Sequence, residues 1–179
     1  MKNKSILIIL LLISELSVNA QNHKLWGGIE VAYGFCLGNN YNINSELENE
    51  NKSLSFIQGT IGYYVMPDIS IGASIGIRSY NTPGLNIIPL SFDIRYHPFN
   101  NKKIVIGGSI GNSICTNEDY IKMNLVGDIF VGYKFWNIKN ISIIPSVGYS
   151  FYQYNITDTK NTKHNQSKNS IYVKIGFIY

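Results

Sequence analysis

The side chains best suited to acid–base or nucleophilic chemistry are three histidines, which lie far apart in the sequence. His23 precedes the first predicted strand, His97 lies at a predicted turn, and His164 lies in a polar stretch near the C-terminus. A hydrolase needs a nucleophile beside a base that a third group orients. The run His164-Asn165-Gln166-Ser167 comes nearest to such a set, but its spacing and polar context do not favour catalysis. The sequence therefore predicts no catalytic residue and no enzyme.

Motifs for metal ions and cofactors are also missing. Glu46, Glu48 and Glu50 are acidic, but they lack the glycine and the ligand order of a calcium loop and are expected in a solvated loop. The glycine-rich run at 107–111 is not followed by the lysine and helix of a phosphate-binding loop, so a bent strand explains it better. We expect neither a metal ion nor a cofactor.

Two cysteines, Cys36 and Cys115, are compatible with a disulfide in an exported protein. A disulfide requires Cα atoms within about 7 Å of each other. The strands predicted below place the two residues on opposite walls of a barrel. The pattern therefore favours two free thiols and leaves a disulfide as the alternative.

Seven charged residues alternate with large apolar side chains and are predicted to face the inside of a barrel. A lone charge in a narrow lumen would cost several kcal/mol, so these residues are expected to form a network. We predict a salt bridge between Glu30 and Lys174, which lie at similar heights on the first and last strands. The predicted network consists of Glu30, Arg78, Asp93, Arg95, Asp128, Lys134 and Lys174.

Within this network, Asp93 and Arg95 are predicted to project from one face, with Lys134 near their level. Arg78 and Asp128 are predicted to lie closer to the outer mouth of the barrel. The network is interpreted as a plug that stiffens the barrel. The alternative is that it gates a narrow pore. Eight strands leave little free bore, which favours the plug.

The elements that position these residues are strands, because side chains alternate with a period of two throughout the chain after residue 20. The clearest case is 69–80, where isoleucines such as Ile71 and Ile75 alternate with glycine and serine. The connections 66–69, 98–103 and 136–140 are short, whereas 39–53 and 155–169 are long and polar. This pattern predicts an all-β fold, an eight-stranded antiparallel up-and-down transmembrane β-barrel with its short turns in the periplasm. The predicted strands are 27–38, 54–66, 69–80, 86–97, 104–115, 121–135, 141–154 and 170–179.

Alternation alone does not say which face is inside, so a soluble barrel with an apolar lumen is the competing interpretation. The residues that alternate with the large apolar side chains are mainly glycine, serine and alanine. Such small residues suit a crowded lumen better than a water-facing surface. Aromatic residues also gather at the predicted periplasmic strand ends, as expected at a membrane boundary. The predicted periplasmic girdle consists of Trp26, Tyr63, Tyr96, Phe135, Trp136, Phe177 and Tyr179.

The first twenty residues have the layout of a secretory signal. Lys2 and Lys4 precede an apolar run at 6–13, and Val18-Asn19-Ala20 supplies a small-residue cleavage site. We predict a signal peptide over 1–20 and a barrel domain over 21–179. The net charge of +4 is weak and dispersed, which argues against a nucleic-acid partner. The basic pair Lys102-Lys103 is expected in a solvated turn.

The eight strands, the closing SIYVKIGFIY and the segment PLSFDIRYHPFNNKKIVIGGSIG at 89–111 resemble the small outer-membrane barrels of Gram-negative bacteria. These are the barrels of the OmpA transmembrane domain and OmpX. The resemblance implies outer-membrane location, contact with outer-membrane lipid, and an assembly signal at Phe177 and Tyr179 that the barrel-assembly machinery reads.

The resemblance also bears on function. Lipid A deacylases and palmitoyltransferases resemble this architecture, so a lipid-modifying enzyme is an alternative, although the His-x-Ser spacing of the deacylases is not matched. We expect a structural or adhesin-like role, with loops 39–53 and 155–169 presented to an unknown extracellular ligand.

Overall fold

The computed structural model describes residues 25–39, 53–81, 85–99, 103–115, 124–138, 140–157 and 163–179. The predicted signal peptide at 1–20 lies outside these ranges and stays a prediction. Within them, no helix is long and apolar enough to cross a membrane. The described residues form nine strands: β1 (Leu25–Asn39), β2 (Ser53–Met66), β3 (Ile69–Tyr80), β4 (Leu85–Tyr96), β5 (Ile104–Cys115), β6 (Asn124–Tyr133), β7 (Trp136–Ile138), β8 (Ile141–Thr157) and β9 (Lys163–Ile178).

The strands form one antiparallel sheet that closes on itself. The order is β6-β5-β4-β3-β2-β1-β9-β8-β7, and a further pairing of β6 with β8 completes the ring. Both β6 and β7 pair with β8, so together they fill a single wall position. The result is the predicted closed, eight-stranded antiparallel barrel.

The alternation of side chains separates lumen from outer wall as predicted. Along β3, for example, Ser74 and Arg78 are buried, whereas Ile75 and Ile77 are more than half exposed. The same division recurs on the other strands, since successive side chains of a strand point to opposite faces. Polar and small residues therefore face the interior together with a smaller set of buried apolar side chains, and most of the large aliphatic residues cover the outside.

The predicted sixth strand, 121–135, is interrupted near its end. Its pairing with β8 runs to Gly132↔Ser146 and resumes one residue out of step at Trp136↔Ile143, so the intervening Lys134 and Phe135 form a bulge. Pro145 stands opposite this bulge on β8. Because proline cannot donate to a ladder, sheets accommodate it at such irregularities. The short strand β7 also occupies most of the predicted turn 136–140.

The predicted loop 155–169 is wrong over most of its length. The β8–β9 ladder continues from Gln153↔Ser167 to Thr157↔Lys163, and only 158–162 lie outside the described residues. The alternation of apolar side chains that delimited the predicted strands ends near residues 154 and 170. Backbone pairing needs no apolar side chains and continues beyond them. Likewise, Asn39 and Ser53 belong to β1 and β2, and only 40–52 of the predicted loop 39–53 lie outside the described residues.

Candidate functional site in the barrel lumen

A cluster of charges around Arg95 fills the lumen near the short-turn end. The Arg95 guanidinium donates from Nε to the Asp93 carboxylate at 2.8 Å and lies 3.3 Å from the Glu30 carboxylate. The predicted salt bridge between Glu30 and Lys174 is present, with Nζ and Oε1 3.0 Å apart. All four side chains are buried. Each charge thus has an opposite charge within reach, which offsets the cost of removing it from water.

A second cluster lies closer to the long-loop end. The Arg78 guanidinium makes a bidentate contact with the Asp128 carboxylate, including an Nη1–Oδ1 hydrogen bond of 3.0 Å. Arg78 also donates to the Ser150 hydroxyl at 3.1 Å, and the Ser109 hydroxyl donates to Asp128 at 3.0 Å. Bidentate pairing of this kind fixes geometry as well as charge. The cluster therefore holds β3, β5, β6 and β8 in a defined arrangement.

Gln58 on β2 joins the two clusters. Its amide nitrogen donates to Glu30 at 2.7 Å, and its amide oxygen accepts from Arg78 at 3.4 Å. The joined network draws a side chain from each of the eight wall positions of the closed sheet. It therefore cross-links opposite walls through the lumen rather than lining one side of it.

Aromatic rings complete the network by covering glycines on neighbouring strands. Trp26 lies over Gly62, Phe130 over Gly107 and Tyr172 over Gly148, and each pair is directly opposed in the sheet. A side chain at any of these glycines would collide with the facing ring. This arrangement, in which an aromatic ring covers the exposed backbone of a cross-strand glycine, stabilises curved sheets.

Two of these rings also face the cations of the cluster around Arg95. The Arg95 guanidinium carbon lies 4.3 Å from the Trp26 ring centroid, and Lys174 Nζ lies 3.4 Å from that of Phe130. Cations are attracted to aromatic faces at such distances, more strongly when water is excluded. The rings thus pack against the two cations and help to hold them in place.

An apolar layer caps the network towards the long-loop end. Tyr80 and Tyr152 stack with ring centroids 5.6 Å apart, and both are buried. Lys168 is buried beside them, with Nζ 5.1 Å from the Tyr80 ring centroid. The other buried apolar side chains of this layer are Leu54, Leu85, Ile87 and Val126.

The assignment of Trp26 to the aromatic girdle is wrong. Trp26 is only 5 % exposed and faces the lumen, whereas Trp136 is 60 % exposed on the outer wall. The reason is parity, because even-numbered residues of β1 point inward and the absent side chain of Gly62 makes room for the indole. The remaining girdle residues are exposed near the short-turn end, and their membrane-boundary role stays a prediction: Tyr63, Tyr96, Phe135, Trp136, Phe177 and Tyr179.

Lys134, unlike the other predicted lumen charges, is not fully buried. It lies in the β6–β7 bulge, half-buried, and its backbone N–H donates to the Lys103 carbonyl at 2.6 Å. The bulge disrupts the alternation on which the inward assignment depended. The other six predicted charges are buried in the lumen.

Two further candidates for chemistry, Cys36 and His97, each contact a hydroxyl group. Cys36 is a free thiol that accepts a hydrogen bond from the Ser170 hydroxyl at 3.3 Å, so the alternative of a disulfide to Cys115 is not realised. His97 Nε2 lies 3.4 Å from the Tyr64 hydroxyl. Within the described ranges, no group of three or more His, Cys, Asp or Glu side chains is placed to hold a metal ion.

Sequence reasoning missed Gln58, Lys168, Phe56 and the ring-over-glycine pairs. Alternation along the second predicted strand already placed Gln58 on the inward face. Because its side chain is uncharged, the sequence provided no indication that it connects two clusters of charged residues. Lys168 was hidden in the predicted polar loop. The Arg78 guanidinium carbon lies 4.6 Å from the Phe56 ring centroid. Phe56 is a large apolar residue at a position that alternation assigns to the inward, mostly polar face. Such exceptions to the pattern were the signal in the sequence that could have revealed inward-facing rings.

The outer wall defines the class of the protein. Large apolar side chains are exposed around the entire ring, among them Ile29, Ile61, Ile75, Phe92, Ile129 and Val173. A closed sheet satisfies its backbone hydrogen bonds internally, which is the condition for crossing a bilayer with strands. A polar lumen inside an apolar wall is the arrangement of an integral outer-membrane β-barrel. We therefore call the short-turn end the periplasmic end.

Comparison with solved structures agrees with this class. The chain is similar in fold to the outer membrane protein AlkL, with a TM-score of 0.50, 13% sequence identity, and coverage of 88% of this chain and 90% of that one. It is also similar to Neisserial surface protein A, NspA, with a TM-score of 0.50, 11% identity, and coverage of 86% and 96%. No protein-family model and no curated protein sequence matches the chain.

Proposed function

We propose that this protein is a membrane anchor with a closed lumen that presents its β8–β9 hairpin for surface interactions. The observation that supports a closed lumen is the network through Gln58, which links Glu30 and Arg78 and their partners across the lumen. Ions would have to displace buried, paired charges in order to pass. Separating such pairs costs several kcal/mol, so conduction is disfavoured.

The proposed role in surface interactions depends on how far the β8–β9 hairpin extends beyond the rest of the barrel. The neighbour of β8, β6, pairs only as far as Val126↔Tyr152, and the neighbour of β9, β1, pairs only as far as Asn39↔Lys168. Within the described residues, 153–157 and 163–167 therefore pair only with each other. Five residue pairs extend about 17 Å. A two-stranded ribbon with free edges can accept an added strand from another protein.

A planar-bilayer recording tests the closed lumen. Purified wild-type protein should show no sustained single-channel openings. The double variant Arg78→Ser/Asp128→Ser removes both charges of the Arg78–Asp128 pair, so that neither residue is left as an unpaired charge. This variant should show a higher conductance than wild type. Sustained openings of the wild-type barrel would instead make it a narrow pore.

Shortening the hairpin tests the presentation role. Replacing 154–166 by a two-residue turn should leave the barrel folded, because all ring-closing pairs lie outside this range. Cells displaying the shortened protein should lose adhesion relative to cells displaying wild type. A control lacking 42–50 in the other long connection shows whether the effect belongs to the hairpin. Equal adhesion of wild type and shortened hairpin would contradict the proposal.

A further inference from the structure

The edge of β8 beyond the closed ring is a backbone surface without a paired strand among the described residues. The β6–β8 pairing ends at Val126↔Tyr152, whereas β8 continues to Thr157. Over this stretch β8 pairs with β9 on one side only. Such an edge offers backbone N–H and C=O groups to another strand. The hairpin has a second edge of this kind on β9, so the two edges have to be compared.

Alternate residues of β8 direct their backbone groups to the free edge. The Ile143 carbonyl accepts from the Phe135 N–H at 2.9 Å, so the odd-numbered residues of β8 face the side on which β6 and β7 lie. The ladder with β9 continues from there to the end of β8 without a register shift. The same alternation therefore directs the N–H and C=O groups of Gln153, Asn155 and Thr157 to the free edge. An added antiparallel strand of suitable length would exchange about six hydrogen bonds with them.

The two edges of the hairpin differ in residue composition. The run FYQYNIT at 151–157 on β8 contains no charge, glycine or proline and is rich in aromatic and β-branched residues. Uncharged segments of high β-propensity pair readily with other strands. Residues 163–167 of β9 instead include Lys163 and His164, and lysine on an edge strand commonly protects it against strand addition. Composition therefore favours the β8 edge as the binding edge.

We propose that the β8 edge at 153–157 binds an extended, proline-free segment of another protein, which adds to the hairpin as an antiparallel strand. This proposal rests on the presentation role proposed above and defines the partner of the hairpin by its chemistry. The hydrogen bonds come from the backbone, and antiparallel pairing is slightly more stable per residue than parallel pairing. Aromatic and β-branched residues in the partner suit the β8 run, because such cross-strand pairs stabilise a sheet.

Fluorescence anisotropy of a labelled peptide with the full-length protein in lipid nanodiscs tests the site. The probe is a short synthetic peptide of alternating threonine and valine with a central tyrosine, and it should bind wild type. A copy N-methylated at alternate amides keeps one hydrogen-bonding edge and should also bind. A copy N-methylated at every amide should not bind. Failure of wild type to bind the probe would overturn the proposal, as would equal binding of the fully methylated copy.

Two proline variants distinguish the edges of the hairpin. Asn155 and Asn165 are directly opposed in the β8–β9 ladder. Asn165 directs its N–H to the β1 side, as Tyr179 does in donating to the Gly27 carbonyl, so the two N–H groups lie on opposite edges. Proline removes an N–H and is tolerated on an edge strand. Asn155→Pro should weaken peptide binding about tenfold, whereas the matched control Asn165→Pro should leave it unchanged. The reverse result would overturn the proposal.

The outcomes separate this proposal from the presentation role. Heat-modifiable gel mobility shows that each variant is folded. If the shortened hairpin abolishes adhesion but Asn155→Pro changes neither adhesion nor peptide binding, the strand site is wrong and the presentation role is supported. If Asn155→Pro weakens peptide binding but the shortened hairpin leaves adhesion unchanged, the strand site is supported and the presentation role is wrong. Wild-type dimers that Asn155→Pro separates would overturn the proposal, because a second copy would then occupy the edge.

Discussion

Arg78 on β3 and Asp128 on β6 lie three wall positions apart, yet their side chains meet in a bidentate contact across the lumen. Both are buried, with 1 % and 5 % of their side-chain surface exposed. No ladder hydrogen bond joins β3 to β6. The pair therefore contributes a constraint on the barrel cross-section that the sheet alone does not supply.

Removing one member of this pair should be more damaging than removing both. Arg78→Met leaves Asp128 as an uncompensated buried charge and should lower the free energy of unfolding by about 3–5 kcal/mol. Adding Asp128→Leu to that variant should restore much of the loss. Urea unfolding in lipid vesicles measures both values, and a double variant no more stable than Arg78→Met would argue against this account.

Gln58 should couple the two charge clusters energetically. Gln58→Leu removes the hydrogen bonds to Glu30 and Arg78 and should cost about 1–3 kcal/mol. A double-mutant cycle with Asp128→Asn should show an interaction energy above about 0.5 kcal/mol, as expected for residues in one network. Additive effects within error would mean that the clusters act separately. Thr60→Val on the same face of β2 is the control outside the network.

The ring of Trp26 should make Gly62 intolerant of any side chain. Gly62→Ala places a methyl group against the indole and should destabilise the barrel by about 1–3 kcal/mol. Gly59→Ala on the same strand is the matched control, since nothing lies within 4 Å of its added methyl group. Guanidinium chloride unfolding in detergent compares the two. Similar losses for both variants would show that glycine flexibility, rather than the ring contact, is responsible.

The two tryptophans should differ in their access to lipid. In vesicles containing brominated phospholipid, Trp136→Phe should abolish most quenching of tryptophan fluorescence, because the remaining Trp26 faces the lumen. Trp26→Phe should leave strong quenching from Trp136. The reverse pattern would mean that β1 presents its even-numbered residues to lipid, which would invalidate the inside–outside assignment.

The thiol of Cys36 should be free in the mature protein. Protein denatured without reductant should gain one alkyl group at Cys36, located by peptide mass spectrometry. Cys36→Ser should leave the unfolding midpoint nearly unchanged, since a hydroxyl can also accept from Ser170. Alkylation of Cys36 only after reduction would show a disulfide.

The sequence by itself determined the barrel, its strand number and which parity faces the lumen. These features depend on local chemistry, because a strand in lipid needs an apolar side chain at every second position, as along Ile71, Ile75 and Ile77. It also predicted the Glu30–Lys174 salt bridge, since strands one and eight become neighbours on closure.

Only the tertiary structure decided how the interior is filled. The inward position of Trp26 depends on Gly62 of another strand, and the bridging role of Gln58 depends on the distance between two charge clusters. The bulge at Lys134 and the extended β8–β9 ladder depend on pairing between backbones, which leaves little trace in side-chain alternation. Strand identity is thus encoded residue by residue, whereas contacts across a lumen depend on the tilt and register of the closed sheet.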